Sequence, residues 1–219
     1  MDLLPHIEIE PKQTANASVI WLHGLGADGH DFEPIVPELK LPEETAIRFI
    51  FPHAPSIPVT INNGYVMPAW YDIIEMNIER KIDNAQLMAS SEQINQFIER
   101  EISRGIAPER IILIGFSQGG AVAYQTALSH PKKLGGLLAL STYFATEDTI
   151  EFSDANKKLP IFIHHGVMDP VVPDLLGRKA NRSLKNLGYD VKFNAYEMEH
   201  SVCYEQIADI QKILLQLLS

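Results

Sequence analysis

Ile111–Leu128 reads IILIGFSQGGAVAYQTAL, and its middle breaks the pattern of a buried element. Four aliphatic residues, Gly115 and Phe116 suit a strand covered on both faces. The run stops at the polar pair Ser117-Gln118, with Gly115 before it and Gly119-Gly120 after it. A small-residue helical segment follows, in which Ala121 and Ala123 allow close packing on a sheet. Ser117 thus falls on a strand-to-helix turn in a G-x-S-x-G frame. Such a turn strains the backbone of its central residue, and the flanking glycines remove Cβ atoms that would collide with it. The turn lifts the hydroxyl clear of the sheet, and the helix N-terminus turns N–H groups and positive dipole toward developing negative charge. A serine that only caps a helix accounts for Ser117 but not for the glycines clustered around it.

Outward from this turn, short apolar runs alternate with amphipathic segments. HIEIE, SVIWLHG, AIRFIFP, RIILIGF, LGGLLALS, PIFIHHG and DVKFNAY read as strands. Between them, Ile94, Phe97, Ile98 and Ile102 recur at helical spacing before Gly105, and a second helix is bracketed by Pro173 and Gly188. Ile207, Ile210, Leu214 and Leu217 form a closing stripe. This alternation predicts an α/β fold, a mostly parallel central sheet of about seven strands with helices on both faces, in a single domain spanning 1–219. The exception is the stretch 52–83, which carries Pro52, Pro55, Pro58 and Pro68 and has no clear period. A loop of that length in a compact domain is usually functional, and it is expected here to be a substrate-binding excursion.

Composition narrows the function. With 219 residues and 46% hydrophobic content, a large core is available, and no run reaches the roughly 20 apolar residues of a membrane helix. The N-terminal MDLLPHIEIEP lacks a secretory pattern, and a single cysteine, Cys203, suits a reducing cytosol, so a cytoplasmic protein is expected. A formal charge of −10 without a basic run excludes nucleic acid as a partner.

A serine hydroxyl needs a base, and the base an orienting acid. Sites on open parallel sheets form at the carboxyl ends of strands, and in this architecture the chain order is serine, acid, histidine. PIFIHHGVMDPVVP leaves its strand through Gly166 and presents Asp169 in a Pro-bounded turn, and DVKFNAYEMEHS brings His200 just before the last helix. Ser117, Asp169 and His200 are therefore the expected triad. Competing residues have plainer roles. Asp174 sits in a helical first turn, and Asp148, Glu151 and Asp154 belong to a solvated loop. His164 and His165 point to opposite faces of a strand and cannot share a metal. His130 belongs to a helix end, and Cys203 to packing within the final helix. The second strand runs into HGLGADG, whose Gly24 and Gly26 let the backbone turn N–H groups inward, with the amide of Gln118 as the other oxyanion donor. His23 is read as shaping that loop.

The segments LHGLGADGHDF, MPAWYDI, IGFSQGGAVA, GVMDPVVP and EHSVC together resemble the carboxylesterase and acyl-protein thioesterase family of α/β-hydrolases, bacterial carboxylesterases above all. The resemblance covers nearly the whole chain from about Val19. It implies Ser117, Asp169 and His200 as triad, Leu25 and Gln118 as oxyanion donors, and Trp70 beside the acyl-binding region. It also implies no metal and no cofactor. One departure is Glu199, where the family usually has glycine; its carboxylate is read as pointing to solvent. The implied activity is hydrolysis of carboxylic esters or thioesters through an acyl-enzyme. A lysophospholipase is the alternative, with an apolar rim drawn from Ile57, Val59, Ile61, Val66 and Met67, and a non-catalytic binder on a hydrolase scaffold is a third. Expected partners are a small acyl ester, thioester or lysophospholipid, or an acylated protein, without stable membrane insertion; a homodimer is compatible with the sequence. Trp70, Met67 and Val66 are the expected substrate-binding residues, Trp70 also being readable as an anchor of the loop.

Overall fold

The computed structural model describes residues 3–76 and 80–219. The elements run in the order β1 (His6–Ile9), β2 (Ala17–Leu22), β3 (Ile47–Pro52), β4 (Ser56–Val59), β5 (Tyr65–Pro68), β6 (Ile73–Glu75), β7 (Lys81–Ile82), α1 (Asn84–Ser103), β8 (Ile111–Phe116), α2 (Gln118–Ser129), β9 (Gly136–Leu140), β10 (Ile161–Gly166), α3 (Asp174–Asn186), β11 (Val191–Tyr196) and α4 (Tyr204–Leu218). Seven strands form one sheet in the order β1-β3-β2-β8-β9-β10-β11. β1 lies antiparallel on the β3 edge, and the other pairings are parallel. This is the α/β-hydrolase fold with its mostly parallel sheet, and each of the seven strand segments read from the sequence takes its place in it.

The continuous apolar runs are explained by two cores. Every residue of β2, β3, β8 and β10 is buried, and successive residues feed opposite faces. Ile20, Leu22, Ile111 and Leu113 pack with α1, α2 and α3, while Val19, Trp21, Ile112 and Ile114 pack with α4 and with Phe32 and Leu39 of the connection after β2. Asp83 caps α1 by accepting from the Gln86 N–H at 3.0 Å, and Leu87, Ile94, Phe97 and Ile98 form its buried face. The helix ends ahead of Gly105, whose φ of +95° is the left-handed stop that glycine provides. In α4, Ile210 and Leu214 are buried and Ile207 and Leu217 half-buried. Cys203 precedes this helix at its cap position rather than packing inside it.

At the edge where β1 joins β3, α1 brings a charged face onto the sheet. Glu101 is fully buried, bonded by Ser18, by Arg48 at 2.6 Å and by Arg104 at 3.1 Å. Burial would raise the neighbouring Glu8 carboxyl, but hydrogen bonds from Arg100 and Arg104 outweigh it and bring its pKa down to about 2.

The stretch 52–83 is not an irregular loop. It contains two antiparallel hairpins, β4–β5 and β6–β7, with residues 77–79 outside the described set. The first turns through five residues, a 3-10 turn over Thr60–Asn62 that is closed by Asn63 and Gly64, both at positive φ (56° and 73°), a conformation that Asn and Gly adopt most readily. Strands of four residues or fewer, carrying Pro58 and Pro68, are too short to display a period.

Candidate active site

The elbow after β8 is as tight as its glycines suggest. Ser117 has φ 52° and ψ −119°, a conformation side chains seldom adopt. A Cβ on Gly115 would lie 2.5 Å from the carbonyl oxygen of Gly119, and one on Gly119 would lie 2.4 Å from that of His23. The strand, the helix and the end of β2 can approach this closely only without those atoms. The Ser117 N–H donates to Leu140 O at 2.9 Å, and its carbonyl accepts from the Thr142 hydroxyl at 2.6 Å, so the end of neighbouring β9 and the turn after it hold the strained residue at both ends.

From this perch the Ser117 hydroxyl stands 2.9 Å from His200 Nε2. On the other side of the ring, His200 Nδ1 is 2.7 Å from Asp169 Oδ2. The loops after β8, β10 and β11 thus bring the three residues into one line, each from beyond a different strand's carboxyl end. Phe116 packs against the His200 ring at 4.8 Å between centroids. The Asp169 side chain is fully buried, and its Oδ1 accepts the N–H groups of Val171 and Val172 at 2.9 and 2.8 Å. Burial alone would raise the Asp169 carboxyl; the bonds from His200 and from these two amides outweigh that and hold it below the ordinary value. An ionised carboxylate there fixes the proton on Nδ1 and leaves Nε2 to accept from the serine. Such a line transfers a serine proton to imidazole as the oxygen attacks.

Leu25 and Gln118 border the same space as Ser117 and His200. Among the described residues no hydrogen bond engages the backbone N–H of either, so both are available to an oxyanion. The loop that carries Leu25 is held from behind. His23 is buried, Nδ1 meeting Gly24 O at 2.7 Å and Nε2 accepting from the Ala54 N–H at 3.1 Å. That matches a loop-shaping residue. Its imidazole is kept below the ordinary range, by burial chiefly.

The excursion is strapped to the elbow. The Gln118 side chain accepts from the Trp70 N–H at 2.9 Å and donates to Tyr71 O at 2.6 Å. The Trp70 indole N–H donates to His23 O at 2.9 Å, and the Trp70 carbonyl accepts from the Ser90 hydroxyl of α1. Trp70 is 1% exposed and stands behind the cavity rather than on its surface. Met67 is half-buried, and Val66 is exposed on β5; neither borders the cavity. The cavity, about 230 Å³, is instead walled on the excursion side by Ile61, Ile73, Met76 and Arg80, and elsewhere by Tyr143 and Val171. Of these only Ile61 stands among the apolar residues picked out by sequence.

The alternatives take no place in the line to Ser117, although buried His165 backs Asp169, with Nε2 3.7 Å from Oδ2. Asp174 opens α3 and pairs with Arg178 at 2.7 Å, Glu199 is exposed, and His130 caps α2 beside Asn95. His164 and His165 are buried on opposite sides of β10, and no metal-binding cluster occurs among the described residues.

Residues 5–218 match the model of the phospholipase/carboxylesterase family. The acyl-protein thioesterase 1 of Neurospora crassa is 39% identical over 211 residues, covering 91% of this chain and 86% of that protein. Arabidopsis thaliana SOBER1 has a similar solved structure, with a TM-score of 0.87 at 33% identity, covering 94% of this chain and all of that one. Zea mays acyl-protein thioesterase 2 gives a TM-score of 0.86 at 26% identity, covering 99% of this chain and all of that one.

Proposed function

Because the chain belongs to the phospholipase/carboxylesterase family of α/β-hydrolases, we propose that it cleaves carboxylic esters or thioesters through an acyl-enzyme on Ser117. One observation carries this reading: the unbroken line from Ser117 Oγ through both nitrogens of His200 to Asp169, at 2.9 and 2.7 Å.

Ser117 Oγ attacks the acyl carbon while its proton passes to His200 Nε2, and Asp169 stabilises the imidazolium that results. The carbonyl oxygen becomes an oxyanion, held by the N–H groups of Leu25 and Gln118; one such donor is worth roughly 10²–10³ in kcat. The tetrahedral centre collapses, the C–O or C–S bond to the leaving group breaks, and the imidazolium protonates that group. Water, deprotonated by the same imidazole, then releases the acid from Ser117. Residues of the excursion, Ile61, Ile73 and Met76, form the apolar wall for the acyl chain. Names of relatives such as acyl-protein thioesterase 1 make an acylated protein a substrate class to test. Lysophospholipids are the second class, favoured by the exposed Met76 and Val171 at the cavity mouth.

The test is labelling by a fluorophosphonate, followed by hydrolysis of p-nitrophenyl esters of increasing chain length beside a thioester and a lysophospholipid. Ser117→Ala is expected to lose the label and roughly 10⁴–10⁶ in kcat while keeping its fold. A variant that kept more than about a tenth of the wild-type rate would remove Ser117 as nucleophile.

A further inference from the structure

Arg80 lies on the cavity wall, just before the return strand β7, and among the described residues that border the cavity it is the one Lys or Arg. Among the described residues no carboxylate lies within ion-pair reach of it. Its guanidinium instead sits over the Tyr143 ring, 4.8 Å from the centroid, with Nη1 3.0 Å from the Met76 sulfur. Nη2 donates to the carbonyl oxygen of Val171. That oxygen belongs to the peptide unit joining Val171 to Val172, and the N–H of the same unit donates to Asp169 Oδ1 at 2.8 Å. A fixed cation thus faces the negative end of one peptide dipole, and the carboxylate of the line to Ser117 faces its positive end. Hydrogen bonds in such a chain polarise one another, each making the next donor stronger. The carbonyl of the next peptide unit, that of Val172, is engaged by His165 Nε2 at 2.7 Å, so the segment is held on that side as well.

We propose that Arg80 is a positioning residue for Asp169, acting through the Val171–Val172 peptide to keep that carboxylate ionised and aimed at His200. This rests on the triad reading above. It also joins the cavity wall to the triad acid: the hairpin that closes the pocket and the group that orients the imidazole share one hydrogen bond, across 91 residues of sequence.

The experiment compares wild type, Arg80→Gln and Arg80→Lys by steady-state kinetics on a neutral ester, p-nitrophenyl butyrate, and on an anionic one, p-nitrophenyl hemisuccinate. The low-field proton resonance of the His200 Nδ1–H is recorded in parallel, and it reports on the Asp169 bond whether or not the protein turns over. Arg80→Gln is expected to lower kcat about tenfold on both esters, with KM little changed, the size of one charge-assisted hydrogen bond. The resonance is expected to move upfield, and Arg80→Lys to recover most of both effects. A loss confined to KM of the anionic ester would overturn the proposal and make Arg80 a substrate contact. Unchanged kcat with an unmoved resonance would overturn it as well. So would a fall in kcat matched by a lowered melting temperature that lysine fails to rescue, since that is plain structural support. Absence of fluorophosphonate labelling in the wild type would instead defeat the triad reading, and the resonance would still decide whether Arg80 acts on Asp169.

Discussion

Two aspartates five positions apart illustrate how much the backbone around a carboxylate decides. Asp169 is buried, accepts two amide N–H groups and meets His200, whereas Asp174 begins α3 and pairs with Arg178 at its surface. Asp169→Asn is expected to lose on the order of 10⁴ in kcat, because an amide in that position favours the wrong imidazole tautomer. Asp174→Asn is expected to stay near wild type, an exposed pair one helical turn apart being worth about 0.3–0.5 kcal/mol. Rates of the two purified variants on one ester check this, and the opposite ranking would reassign the acid. The strand-end position of Asp169 and the helical start of Asp174 are legible in the sequence, as is the elbow, because each depends on residues close in the chain. Arg80, Tyr143 and Val171 carry no such signal. They reach the cavity from three separate segments, and only the fold brings them together.

The hairpins of 52–83 were open to reading only at Asn63-Gly64, where a turn signal lies between strands too short to alternate. What the segment does is set by Trp70. Its backbone and indole tie Gln118, His23 and α1 to one another, and its side chain has almost no exposure. Trp70→Ala is therefore expected to depress kcat/KM alike for C2 to C12 esters and to lower the melting temperature, the truncation of a buried aromatic costing about 3–5 kcal/mol. A wall residue would act otherwise, changing the dependence on chain length by about 0.8 kcal/mol per methylene. Ester series on the variant, beside a thermal melt, separate the two, and a selective loss for long chains would return Trp70 to the wall. The helix α1 gives a second instance of sequence concealing a role. Glu101 carries no signal in the sequence that sets it apart from other helix carboxylates, yet Arg48 and Ser18 on the sheet make it a buried ion-pair partner.

At the scale of the whole chain, the continuous apolar strands made the sheet legible, while the acid response depends on what they bury. Burial holds the His164 imidazole down to about 4 from an ordinary 6.5, more than nearby Asp209 can offset. His23, His130 and His165 are pushed down too, burial again being the main cause. A histidine that refuses a proton when folded and accepts it when unfolded favours unfolding as the medium acidifies. Stability is thus expected to fall from about pH 6.5 to about pH 4, with His164 accounting for on the order of 3 kcal/mol. Glu8, with its carboxyl brought from 4.5 to about 2, adds a further loss that begins near pH 4.5 and is complete as pH drops through its own folded value. Urea titrations at pH 7 and pH 5 measure the slope, and His164→Asn is expected to flatten it. A wild-type curve equally stable at both pH values would refute the assignment.

The chain has two tryptophans, and the sheet separates them: Trp21 stacks on Phe32 beneath α4, and Trp70 lies against His23 on the opposite face. Their ultraviolet emission is thus a pair of built-in reporters, one for each core. With Trp21 replaced by phenylalanine, the remaining signal comes from the indole whose N–H suspends the loop bearing Leu25, so the light records the moment that loop is seated. Timed against the return of hydrolysis during refolding, it tells whether a finished sheet is already an enzyme or waits for its last hairpin to dock.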